Sequence, residues 1–82
     1  MAWCALARTW NSDEKRYDSL TLRIEDPREK GCLIRLYDEE TAIAEALADT
    51  PQLAMAKALQ LARAHLKDDS ITEDSLTWVQ MP

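Results

Sequence analysis

One glycine in 82 residues removes a large share of familiar chemistry from this chain. A phosphate cradle built from backbone N–H groups needs several glycines in one loop, so neither a P-loop nor a dinucleotide fingerprint can be drawn through Gly31 alone. Nucleotide-dependent catalysis is set aside on that ground. Histidine and cysteine are almost as scarce, at one and two residues. Cys4 and Cys32 are too few for a disulfide scaffold and have no metal-ligand spacing. With one strand between theirs they would sit about 10 Å apart, beyond disulfide reach, so buried thiols are expected. A Cys–His dyad needs an activated thiol beside His65, and nothing in the spacing supplies one. No apolar run approaches the eighteen or so residues of a membrane span, and the opening MAWCALARTW lacks a basic leader and a long apolar core. A cytoplasmic protein is the expectation.

What is present is ordinary for a folded domain: 46% hydrophobic and 30% charged residues, far from the signature of disorder. Eighty-two residues make one domain, and one so short buries a modest fraction of its surface, which makes a homodimer a reasonable expectation. The net charge of −5 is uneven: residues 1–37 sum to +1 and residues 38–82 to −6. An acidic second half argues against a general nucleic-acid coat, whose affinity rests on many basic phosphate contacts, and suits docking on a basic partner.

Apolar residues alternate in Tyr17–Asp26 (Leu20, Leu22, Ile24) and again in Cys32–Asp38 (Cys32, Ile34, Leu36), the period of half-buried antiparallel strands. The connection from Asp26-Pro27 to Lys30-Gly31 closes a hairpin that pairs Ile24 with Ile34 and Leu22 with Leu36. That register sets Arg23 beside Arg35 and Thr21 beside Tyr37. Facing like charges are destabilising and need a carboxylate, a bound anion or open solvent. Ala2–Trp10 reads as an earlier strand with two available facings. The one expected puts Trp3, Ala5 and Ala7 with the Leu20-Leu22-Ile24 face, because small alanines permit a close-packed helix and Arg8 stays in water.

Asp38 reads as the N-cap of a first helix with Glu39 and Glu40 in its first turn and Ile43 and Leu47 at helical spacing. Thr50-Pro51 then restarts a second helix as N-cap and N1, running to about Lys67 with Met55, Leu59, Ala62 and Leu66 inward. Ser70 to Glu73 fits a capping box, and Leu76 to Met81 a last strand with Leu76 and Trp78 inward. The expected fold is α+β: a three- or four-stranded antiparallel sheet in β-β-β-α-α-β order with two consecutive helices on one face.

No catalytic residue, metal ligand or cofactor is expected, and the chain reads as a non-enzymatic protein-binding or regulatory module. The carboxylates Asp38, Glu39, Glu40, Asp68 and Asp69 lack the glycine-containing loop of a calcium site and read as capping or acidic docking groups. Arg23, Arg35 and Tyr37, with Tyr17 and Trp10, share the outer sheet face and form the candidate contact surface. Arginine with aromatics also serves single-stranded nucleic-acid platforms, a weaker alternative here. In size and charge the chain is similar to small acidic inhibitors of phages and mobile elements, such as anti-CRISPR-like proteins that block a nucleic-acid-processing complex. That is an analogy without a shared motif.

Overall fold

A computed structural model of the protein describes residues 2–25 and 31–81. Strands β1 (Ala2–Asn11), β2 (Arg16–Glu25), β3 (Cys32–Asp38), β4 (Thr41–Ala48) and β5 (Val79–Met81) form one antiparallel sheet in the order β4-β3-β2-β1-β5. One helix, α1 (Pro51–Leu66), packs on one face of it. The α+β class is as expected, but the sheet has five strands instead of three or four, and among the described residues there is one α-helix where two were expected.

The difference lies after Asp38. Instead of capping a helix, Asp38 pairs with Thr41 across Glu39-Glu40, and the chain returns as β4 beside β3. Ala42, Ala44, Ala46 and Ala48 alternate with Ile43, Glu45 and Leu47, a period of two carried by small residues. Alanine's helix preference amounts to less than about 1 kcal/mol per residue and yields to a ladder with β3. The reversal holds Glu39 at a left-handed φ of 56°. A non-glycine residue there costs about 1–2 kcal/mol, offset by the strand pairing it permits. Opposite Tyr37 the register slips, from Leu36 with Ala44 to Tyr37 with Ala42, so Ile43 is the extra residue of a bulge.

The β2–β3 hairpin has the expected register, with Arg23 opposite Arg35 and Ile24 opposite Ile34. Residues 26–30 of its connection lie outside the described residues. In β1 the expected facing holds: Ala5 and Ala7 are buried, while Leu6, Arg8 and Trp10 point out. Cys32 is buried on the inner face and Cys4 half-buried on the outer, with β2 between their strands.

Thr50 caps α1 as its Oγ1 accepts from the Leu53 N–H at 3.2 Å, with Pro51 in the first turn. Ala54, Ala58 and Ala62, spaced four apart, are fully buried together with Leu59, and the expected Met55 and Leu66 flank this stripe half-buried. Alanine lets the helix backbone close onto Leu22, Ile24, Ile34 and Leu36, each completely buried. Each such side chain contributes about 1.5–3 kcal/mol. After α1 the chain differs from expectation once more. Ser70 starts no capping box, because its N–H and Oγ donate to Asp68 Oδ1 at 2.9 and 2.5 Å. A single 3-10 turn (Glu73–Ser75) follows Thr72, whose N–H donates to Ser75 Oγ at 3.2 Å. Leu76 is buried and Trp78 packs on the core as expected, although ladder pairing begins only at Val79.

Gly31 has a φ of +76°, and a Cβ there would collide with the Ala48 carbonyl, where β3 and β4 come together. Gly31→Ala is expected to lower stability by about 1–3 kcal/mol in a denaturant melt without changing its slope. Ala58→Leu should cost a similar amount, about 1–3 kcal/mol, by forcing α1 off the sheet; an unchanged midpoint would contradict the close approach.

Candidate functional site

With α1 on one side, the other face of the sheet is left without a covering element among the described residues. The strand register composes it row by row. Across the middle stand Val79 of β5, Cys4 of β1, Arg23 of β2, Arg35 of β3 and Glu45 of β4. The next row brings Leu6, Thr21 and Tyr37 together, and the row on the other side Ala2, Glu25, Leu33 and Leu47.

The facing arginines are each supplied with a carboxylate from this chain. Arg23 Nε lies 3.1 Å from Glu25 Oε1, two residues along its own strand. The contact is electrostatic only, since this Nε is buried and its N–H is not aimed at a hydrogen-bond acceptor. Arg35 Nε donates to Glu45 Oε2 directly across the ladder at 3.3 Å. The side-chain hydrogen bond with Tyr37, and then the charge of Glu45, hold the Arg35 guanidinium above its ordinary pKa. Arg35 is therefore a permanent cation, locally neutralised.

Beyond the end of the β3 pairing the β1–β2 hairpin continues, carrying Trp10 opposite Tyr17 on the same face. Their rings meet edge to face, 5.1 Å between centroids, and the Arg8 guanidinium lies 4.9 Å from the centre of the Tyr17 ring. Of the expected surface, Arg23, Arg35 and Tyr37 are thus adjacent, and Tyr17 and Trp10 form a second cluster farther along the hairpin.

The expected acidic residues go elsewhere. Asp38 and Glu39 at the β3–β4 reversal converge with Asp68 after α1, and with Asp18, around an open concavity on the helix side. Glu40 and Asp69 are exposed and do not line it. Cations share this concavity: Arg16 lies 2.6 Å from Glu14 and 3.6 Å from Asp18, and Lys67 lines the wall. His65 is exposed at its rim. Among the described residues no group of three or more His, Cys, Asp or Glu is arranged to hold a metal ion, and no helix is long and apolar enough to cross a membrane.

Glu45 and Leu47 belong to the outer face and escape a reading that puts them on a helix. The alternation of Ala44, Ala46 and Ala48 with Glu45 and Leu47 is compatible with a strand that sets Glu45 and Leu47 on one side, but it does not by itself exclude a helix.

Asp68 is held below the usual carboxylate pKa by the hydroxyl of Ser70, then by Thr9 Oγ1 at 2.6 Å, then by the Ser70 N–H. A lowered folded-state pKa adds stability that is complete above the unfolded value, about pH 4, and is lost as pH falls through the lower folded value. Asp68→Asn should therefore destabilise the protein near neutral pH and flatten the fall in melting temperature below about pH 4 relative to wild type. Parallel acid titrations of the two proteins check this.

Compared with protein-family models, curated proteins and solved structures, the chain matches none.

Proposed function

We propose that this chain is a non-enzymatic protein-binding module that takes its partner on the uncovered face of the sheet. The observation that carries the reading is the composition of that face. Leu6, Trp10, Tyr17, Leu47 and Val79 are each more than half exposed, between 51% and 65%. They surround arginines that already have carboxylates. Exposed aromatic and aliphatic side chains with arginine, in a locally neutral setting, resemble the content of protein interfaces.

The same pairing argues against a polyanion. Phosphate binding gains its strength from cations that release counterions, and Glu25 and Glu45 occupy the arginines that would do so. The acidic-inhibitor reading has Asp18, Asp38, Glu39 and Asp68 in its favour, yet Arg16 and Lys67 interrupt that surface. Trp10 and Tyr17 border both surfaces, while the exposed Leu6, Leu47 and Val79 belong to the sheet face alone and favour it.

Leu6→Asp with Leu47→Asp places charge in the face at exposed positions, so folding should be unaffected. Partner capture by the immobilised protein, read by mass spectrometry against wild type, should fall at least tenfold, about 1.4 kcal/mol. Charge reversal at the exposed Asp38 and Glu39 should leave capture intact. Loss of capture in the acidic variant alone would transfer the function to the concavity, and salt-dependent binding of single-stranded RNA or DNA would transfer it to nucleic acid.

A further inference from the structure

Among the described residues, the β4 margin of the sheet carries backbone groups without a neighbouring strand. Consecutive carbonyls along a strand point to opposite sides. The Ala48 carbonyl faces β3 at Gly31, so the Leu47 carbonyl faces away from the sheet, where Lys57 Nζ reaches it at 3.3 Å. In an antiparallel strand the N–H and C=O of one residue point the same way, so Glu45 and Leu47 each present both groups to the open side. The opposite margin is guarded. Three-residue β5 closes the start of β1, and beyond it Arg8 stands exposed and Thr9 is tied to Asp68. β4 has no proline, lysine or arginine in its eight residues, the usual protection of an edge. Its only charge, Glu45, is neutralised by Arg35.

We propose that β4 pairs antiparallel with β4 of a second copy, forming a two-fold dimer in which two five-stranded sheets become one. Charge selects the register. One alignment sets Glu45 opposite Glu45 of the partner subunit, and the shift that pairs the two Leu47 residues sets Glu45 opposite Asp49 of the partner subunit; both oppose carboxylates. The register between them passes the axis through Ala46 and sets Glu45 opposite Leu47 of the partner subunit. The outward N–H and C=O of Glu45 then exchange bonds with those of Leu47 on both sides of the axis, and Lys57 releases the Leu47 carbonyl. Leu47, 65% exposed, and Leu53 of α1, 55% exposed, flank this seam and are shielded by the second copy. Centring on Ala44 would also separate the carboxylates but would run through the bulge at Ile43, so the Ala46 register is the one that keeps a regular strand; such self-matching favours a second copy over an unrelated peptide, and closed two-fold pairing leaves no growing edge at β4.

Size-exclusion chromatography with light scattering should give twice the 9.4 kDa chain mass as concentration rises. Hydrogen exchange at the Glu45 and Leu47 amides should slow in step with it. Leu47→Pro removes an outward N–H that no ladder bond uses, and should give a folded monomer. Leu47→Lys is the parallel variant that keeps the backbone unchanged, and should do the same. A wild-type mass of one chain at every concentration would overturn the proposal. So would a dimer that persists in either folded variant, or exchange at Glu45 and Leu47 that ignores concentration.

Discussion

A single helix can close over only part of a five-stranded sheet, and the rest of this structure follows from that limit. A helix is about 10 Å across and neighbouring strands are about 4.8 Å apart, so α1 shields little more than two strands. It sits over β2 and β3, where Leu22, Ile24, Ile34 and Leu36 are completely buried. The flanks are finished by different means. Over β1 the segment after α1 returns with Ile71 and Leu76 buried and Trp78 against the core. On β4 the inward residues are alanines, which have little apolar surface to hide. Close approach of α1 through Ala54, Ala58 and Ala62 makes this economy work, since a larger stripe would lift the helix from the sheet.

With the only α-helix among the described residues committed to one side, the second face has to be acceptable to water. The sequence places two arginines opposite each other there, and the fold answers with Glu25 along the strand and Glu45 across it. The two solutions are unequal. Arg35 gains a hydrogen bond to Glu45 and contact with Tyr37, while Arg23 keeps a buried Nε with an ion-pair contact alone. Exposed pairs of this kind add about 0–1 kcal/mol, so their effect is to remove a repulsion and leave the face neutral. Neutral, apolar and aromatic content is what supports the proposed docking of a protein there.

Strand segments with clear polar-apolar alternation were readable from residues alone, and so was the register of Arg23 against Arg35, because the hairpin's inner leucines and isoleucines admit one pairing. The second helix was readable for a similar reason: Thr50 and Pro51 are start signals that act within one turn, and the αL cap at Lys67 ends it before Asp68. Residues 38–48 were not. Alanine every second position satisfies a helix by propensity and a strand by periodicity, and local chemistry does not separate them. Ser70 was misread as a cap because its partner, Asp68, is itself placed by Thr9 of β1, 59 residues away.

Residue order alone was enough for the inner faces of β2 and β3, the helix from Thr50 and the conflict between Arg23 and Arg35, since each depends on neighbours in the chain or on one short hairpin, whereas β1 kept two facings until it was paired with β2. Long-range pairing with β3 made Thr41–Ala48 a strand and so set Glu45 opposite Arg35. The physical reason is the same for both: alanine carries too little surface to state which side it prefers, so its conformation was left to the unpaired edge of β3 and the helix that needed room above it.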